Sequence, residues 1–163
     1  MLIQQKVDGS NAFNRSWTEY KVGFNDTRGN YWLGNELLSQ LTHSGRYKLR
    51  FELQLRTNLS WYWAEYSSFV VFSERYNYTL QVSGYSGNLA DAFSYHSTMM
   101  FSTYDRDNDP YTGVHCAASQ GGGFWYRRCY YAHVTGSSSF TWRLQPPATG
   151  WNALQTSRMW LMC

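Results

Sequence analysis

Carboxylates are missing from the whole of the chain beyond Asp109, where Arg127, Arg128, Arg143 and Arg158 are the only permanently charged side chains. That absence excludes a glycosidase-type pair of acids in the C-terminal part, because such chemistry needs two carboxylates facing each other across a cleft. It also argues against a pocket for a cationic peptide terminus, which requires an anionic partner. The Lys and Arg residues give a net charge of only +3 and are scattered, with no basic run interleaved with stacking aromatics. Nucleic acid is therefore not expected as a partner. No apolar run approaches the length of a membrane span. There are no repeats, low-complexity tracts or linker-like composition shifts, so one domain is expected. Met1 leads straight into folded-looking sequence without a charged and apolar leader, which implies a removed leader or missing upstream sequence. Cysteine is sparse, at three residues. Cys116 and Cys129 can close a short loop, and Cys163 is left over as a free thiol, an interchain link or a boundary residue.

What is present is apolar and aromatic: 43% and 19% of 163 residues, enough to bury a core. Ser16-Trp17-Thr18-Glu19 fits a capping box opening a short helix. Trp32 to Leu41 carries Leu33, Leu37, Leu38 and Leu41 near one helical face, with Gly45 as a stop. Tyr47, Leu49, Phe51, Leu53 and Leu55 alternate with Lys48, Arg50, Glu52 and Gln54, which predicts a strand covered on one face. Tyr66 to Phe72 and Tyr78, Leu80, Val82 supply two more strands. After Ser83 the composition turns to Gly, Ser, Asn, Asp and Tyr, predicting a loop-rich second half. The fold class is α+β, a twisted and mainly antiparallel sheet with short flanking helices.

The densest chemistry lies in Phe101 to Gly136. Asp105, Asp107 and Asp109 fall within five residues, a spacing that repels unless a cation sits among them, and Gly113 lets carbonyls turn inward. Calcium is the natural occupant, since a hard cation takes carboxylate and carbonyl oxygens. An EF-hand is excluded, because Pro110 stands where Gly is needed and Cys116 where the bidentate Glu belongs. Sequons begin at Asn14, Asn25, Asn58 and Asn77 and, with a disulfide, favour a secreted, oxidising setting. Catalysis is not expected. Gly84-Tyr85-Ser86-Gly87 departs from the nucleophile-elbow pattern, and the four His are scattered without an Asp partner.

LIQQKVDGS (Leu2 to Ser10), WTEYKVGF (Trp17 to Phe24), YWLGNELLSQLT (Tyr31 to Thr42), the Tyr-x-Leu-x-Val-x-Gly-Tyr-Ser-Gly run (Tyr78 to Gly87), FSTYDRDND (Phe101 to Asp109) and the Cys116 to Cys129 loop occur in a fixed order. In this the chain resembles fibrinogen-like domains from Leu2 to about Met159. The family's small N-terminal subdomain is absent, and its basic and hydrophobic ending is replaced by MWLMC. The resemblance implies a domain over 1–163, with the central sheet in about 1–100 and the calcium and ligand region in about 101–163. It implies a Cys116–Cys129 disulfide and a calcium site from the side chains of Asp107 and Asp109 and the carbonyls of Tyr111 and Gly113. Asp105 would then lie one step behind the ion, and an extra residue is placed near Val114 or His115.

Similarity to ficolins and tachylectins further implies a cis Arg128-Cys129 peptide that turns an N–H toward an acetyl carbonyl, with aromatic walls receiving the methyl group. On that reading Arg128, Cys129, Tyr130, Gln120 and Ser119 line the pocket. Phe140, Trp142 or Trp151 stands in for an aromatic that the shortened loop after Gly136 does not supply, and His133 is structural. The expected function is a secreted, calcium-dependent innate-immune lectin. It would bind N-acetylated glycans of microbial surfaces or cell walls and would be clustered as a homo-oligomer through upstream segments. The competing expectation is a protein recognition module of fibrinogen-like type.

Overall fold

The computed structural model describes residues 1–163. In chain order the elements are β1 (Leu2–Lys6), α1 (Trp17–Val22), β2 (Phe24–Asn25), β3 (Tyr31–Trp32), α2 (Asn35–Thr42), β4 (Lys48–Leu55) and β5 (Trp61–Val71). There follow β6 (Leu80–Gly87), α3 (Cys116–Gln120), β7 (Ala132–His133), β8 (Thr141–Arg143) and β9 (Trp151–Met162). The sheet is antiparallel with order β2-β3-β1-β9-β4-β5-β6, and β8 carries β7 out from β9 as a side ribbon.

The alternation in β4 does what its period requires. Leu49, Phe51 and Leu53 are buried, while Arg50, Glu52 and Gln54 are not. The inner face meets Phe93 and Trp142, both in edge contact with Phe51. Around Trp32 the core is a lattice of rings, with Tyr20, Phe101 and Trp125 within about an ring's width of it, at centroid separations of 5.4, 5.9 and 6.1 Å. Such contacts add roughly 0.5–1.5 kcal/mol each beyond the area they bury.

α1 is opened by the expected capping box, with Ser16 and Glu19 satisfying each other's backbone N–H groups. α2 begins later than expected, at Asn35. Trp32 belongs to β3, and the intervening Gly34 has φ +112° with the Val22 carbonyl 2.6 Å from where a Cβ would stand. Leu37 is consequently 43% exposed, and it is Leu38 that enters the core. β5 starts five residues before the expected Tyr66, and β6 runs past Ser83.

The largest difference is β9, placed in the middle of the sheet between β1 and β4. Its apolar period is interrupted where Thr156 and Ser157 are both buried and the pairing with β4 shifts register. The inward polar group is matched, since the Gln4 amide donates to Ser157 Oγ and to the Val134 carbonyl, both at 3.0 Å. Beside this pair, Lys6 is fully buried. Its ammonium donates to the Ser10 carbonyl at 2.7 Å and lies 5.3 and 5.4 Å from the Phe13 and Phe140 rings. Burial pushes its pKa down to about 8.

Tyr20 fastens the two halves of the chain. Its hydroxyl donates to the Phe13 carbonyl at 2.6 Å and accepts from the Gly123 N–H at 2.9 Å. Its ring lies so close to Gly123 that a Cβ there would stand 2.6 Å from it. Tyr20→Phe keeps the ring and strands two buried backbone groups, so a loss of about 1–3 kcal/mol in denaturant-measured stability is expected. An unchanged unfolding midpoint would show that the hydroxyl is not a fastening point.

Candidate functional site

The acidic loop is organised by its own carboxylates. Asp105 turns away from its neighbours, since its Oδ1 accepts the Trp17 N–H at 2.9 Å and the Thr103 hydroxyl at 2.7 Å. It thus anchors the start of α1, a position that favours negative charge, rather than standing behind an ion. Asp107 Oδ1 accepts the Asp109 N–H at 3.2 Å. Asp109 uses both oxygens, one for the Tyr111 N–H and one for the Cys116 N–H, each at 2.9 Å. Burial first, and Asp107 beside it, push the Asp109 carboxyl above the usual carboxylate range against these two bonds. Ligand atoms of Asp107, Asp109 and His115 lie within 4.8 Å of one another. The Tyr111 carbonyl accepts from the Val114 N–H at 3.0 Å, and Gly113 turns the chain at φ +79°.

His115 caps α3, accepting the Ala118 N–H on Nδ1. Cys116 and Cys129 are joined, with their Cα atoms 5.4 Å apart. Beneath the bridge, His96 is fully buried. Its Nδ1 donates to the Trp125 carbonyl at 2.7 Å, and its Nε2 accepts from the Tyr131 and Ala132 N–H groups, each at 3.1 Å. A ring nitrogen that accepts two amides has no room for a proton, and burial pushes the His96 pKa down to about 3. His133 is likewise buried, between the Tyr126 hydroxyl and Ser139 Oγ, with its pKa pushed down to about 3 by burial.

The resemblance implied a cis peptide at Arg128-Cys129. The structure corrects this: the bond is trans, Pro146-Pro147 being the cis bond of the chain. Trans is the form that a non-proline peptide favours by about 3 kcal/mol. Two of the proposed aromatic walls also fail. Trp142 is wholly buried with its indole N–H donated to the Ala90 carbonyl at 2.8 Å, and Phe140 is 8% exposed beside Lys6. Trp151 remains 45% exposed, with its ring 5.2 Å from that of half-buried Tyr130. Ser119 is exposed and donates to the Cys116 carbonyl, while half-buried Gln120 accepts from Ser139 Oγ at 2.9 Å.

Around the bridge the surface is cationic and aromatic. Exposed Arg128 stacks over Tyr111, guanidinium to ring centre 5.0 Å, and lines a concavity of about 300 Å³ with Pro110, Tyr111 and Thr112. Arg143 stacks over Tyr131 at 3.8 Å, and Tyr131 stacks on Tyr95 at 3.7 Å. The chain's ion pairs all lie between residues 8 and 74, so neither arginine has a carboxylate partner. Arg127 differs, being tied to the Tyr95 and Ser97 carbonyls at 2.7 and 2.9 Å.

Comparison with known proteins decides the family. The model for the C-terminal globular domain of fibrinogen beta and gamma chains matches residues 1–157. The chain belongs to the fibrinogen C-terminal domain family. Protein scabrous of Drosophila melanogaster is 38% identical over 159 residues, covering 96% of this chain and 20% of that protein. Human angiopoietin-related protein 2 is 43% identical over 128 residues, covering 78% of this chain and 26% of that protein. The fibrinogen-like globe domain of human ANGPTL2 superposes with a TM-score of 0.88 at 34% identity, over 99% of this chain and 78% of that one. A lamprey fibrin D-dimer complexed with the peptide Gly-His-Arg-Pro-amide gives a TM-score of 0.82 at 30% identity, over 98% of this chain and 60% of that one. The chain spans a fifth to about a quarter of the length of the two curated relatives, scabrous and angiopoietin-related protein 2.

These relatives overturn two expectations. Scabrous and angiopoietin-related chains, and a fibrin fragment holding a peptide, stand where ficolin-type lectins were expected, so the acetylated-glycan lectin and its N-acetylated sugar partners are withdrawn. The physical grounds agree, since the fibrinogen-like domain here has neither the cis turn nor two of the aromatic walls that an acetyl cup needs. Fibrinogen-like domains are non-enzymatic recognition domains as a family. No helix of the structure is long and apolar enough to cross a membrane.

Sequence reasoning did not single out His96, His115 or the Tyr95–Tyr131–Arg143 stack. The stack has a signal in retrospect, because Trp142 and Arg143 alternate inward and outward on β8. His96 has none, since its partners are backbone groups about thirty residues away. Two buried imidazoles with pKa values near 3, against 6.5 when unfolded, give stability that is full above pH 6.5 and lost as pH falls toward 3. Each contributes a slope of up to about 1.4 kcal/mol per pH unit in that window. His96→Asn is expected to be less stable at pH 7 and to show a shallower acid slope in urea titrations. An acid slope equal to that of the parent would refute a neutral, buried His96.

Proposed function

We propose that this domain is an extracellular, non-catalytic protein recognition module. The face around the Cys116–Cys129 bridge would bind a protein surface that offers carboxylates. The observation that carries the reading is the pair of stacked, carboxylate-free guanidiniums, Arg128 on Tyr111 and Arg143 on Tyr131. Stacking fixes the orientation of each planar guanidinium and leaves its N–H edge open for bidentate contact with a carboxylate. Tyr130 and Trp151 add amphipathic ring area between them, the kind that dominates protein interfaces. Cys129, Ser119 and Gln120 form the rim. The partner differs in charge from the cationic peptide held by the lamprey fibrin relative, because no carboxylate follows Asp109 in this chain. Support for an extracellular setting comes from the disulfide.

Calcium is the proposed brace of this face. The raised Asp109 carboxyl, set beside Asp107, is the kind of charge that a hard cation relieves. Asp107 and Asp109 would hold the ion with the Tyr111 and Gly113 carbonyls. His115 nitrogen is a poor ligand for it and is already used as a helix cap. The bound ion would fix the loop that carries Tyr111, and through Tyr111 the Arg128 side chain.

Two measurements test the reading. Surface plasmon resonance against a panel of extracellular protein ectodomains is expected to give saturable binding that weakens at least about tenfold, or about 1.4 kcal/mol, in the Arg128→Glu/Arg143→Glu variant. Binding that is confined to a glycan array, or indifferent to both reversals, overturns the proposed surface. Calcium at a hundredfold excess over its Kd should add about 2.7 kcal/mol of stability. For a chain of this size that is a Tm gain of about 5–10 °C. Asp107→Ala should abolish the gain, and an equal gain in that variant would place the ion elsewhere.

A further inference from the structure

The four sequons sit in different surroundings. Asn77 is half-buried at φ +51°, its amide oxygen accepts from Arg106 at 2.8 Å, and its nitrogen lies 3.4 Å from Met100 Sδ. That side chain is tied down by Arg106 and half-buried, so it is a less accessible acceptor than Asn58. Asn58 is fully different. It is exposed at the tip of the β4–β5 hairpin, its Oδ1 accepts the Ser60 N–H at 3.0 Å, and its Nδ2 donates one hydrogen to the Tyr62 hydroxyl at 3.1 Å.

That nitrogen has a second hydrogen, which the bond to Tyr62 leaves unused. An N-glycosylated asparagine keeps one N–H, so the bonds to Ser60 and Tyr62 both survive substitution. The surroundings are open and mix exposed rings with charged side chains. Leu59 is 59% exposed and Trp61 44% exposed. Tyr62 lines two grooves, one of about 560 Å³ with Leu55, Leu89 and Leu144, and one of about 340 Å³ where Trp61 and Trp63 stand among Arg50, Glu52 and Arg158. Rings that stand in water with a polar edge available are suited to the C–H face and hydroxyl rim of a sugar.

We propose that Asn58 carries an N-linked glycan whose first sugar lies against Tyr62 and Trp61. The inference rests on the extracellular part of the proposed function, since the modification belongs to the secretory pathway. In the transfer, Nδ2 forms a bond to C1 of an N-acetylglucosamine while the C1–O bond to a lipid-linked pyrophosphate donor breaks. The pyrophosphate leaves with the electron pair, and the displaced amide proton passes to base. The glycan then covers aromatic surface that would otherwise face solvent at the hairpin tip. Asn14 and Asn25 are exposed as well, and their occupancy is independent of this proposal.

The test is glycopeptide mapping of the full chain secreted by eukaryotic cells, with closure of the Cys116–Cys129 bridge read in the same sample. The peptide containing Asn58 should carry a glycan, and Ser60→Ala should run faster on a gel by the mass of one glycan. That variant keeps the Asn58 side chain and the Ser60 backbone N–H, so it should still fold. Enzymatic removal of the glycan from native protein should increase acrylamide quenching of tryptophan fluorescence, and should not do so in Ser60→Ala. Bare Asn58 beside a closed bridge overturns this inference alone, whereas an open bridge in secreted protein counts against the extracellular reading. Occupied Asn58 with quenching unchanged by deglycosylation overturns the contact with Tyr62 and Trp61.

Discussion

A neutral imidazole fixed between three backbone groups is what the recognition face depends on. His96 donates to the carbonyl of Trp125 and accepts from the amides of Tyr131 and Ala132, so it clamps both ends of the turn that bears Arg127, Arg128, Cys129 and Tyr130. Without it, three polar groups of the main chain would be buried and unpaired, at about 1–3 kcal/mol each. The turn is further tied by Arg127 to the Tyr95 and Ser97 carbonyls. One short segment, 95–97, therefore holds the turn from below by an imidazole and from the side by a guanidinium. The disulfide closes the opposite side.

The acidic loop is coupled to the same turn through Asp109. One of its oxygens takes the Cys116 amide, at the start of the helix that carries the bridge, and the other takes the Tyr111 amide, whose ring receives Arg128. A change in the charge state or occupancy of this carboxylate thus acts on both the bridge and the arginine. Asp105 belongs to a separate system, since it reaches back to α1 and ties the loop to the N-terminal half. Three acids that look equivalent in the sequence divide into one structural anchor and a neighbouring pair, the pair proposed to hold calcium.

Much of the fold was legible because its signals are local. The capping box at Ser16 and Glu19 and the alternation of β4 are written within four and eight residues, and the structure follows both. β9 was not legible. It buries Ser157 against a long-range partner, Gln4, while the adjacent Thr156 is buried and bonded to Gln54, and these polar residues erase the period that marks a strand. At the site, the disulfide was readable from the resemblance and the closeness of Asp107 to Asp109 from their spacing. The orientation of Phe140 and Trp142 was not, because an aromatic count carries no information on which face of β8 is buried. Trp142 fills the space against Phe51 under the sheet, which leaves its neighbour Arg143 on the outside.

That inversion explains why the site does not form a cup for a small acetyl group. A cup needs walls, and here Trp142 and Phe140 have been drawn into the core, while the main chain at Arg128 and Cys129 keeps its ordinary trans form. What remains is a shallow face with rings lying flat beneath two guanidiniums. Flat cationic surfaces gain little from a single small ligand, whose polar groups would stay half in water, and gain more from a broad partner that excludes solvent over several contacts at once. The same residues that fail as a sugar pocket are therefore well disposed as the centre of a protein interface, with charge setting the partner and the buried imidazole keeping the geometry.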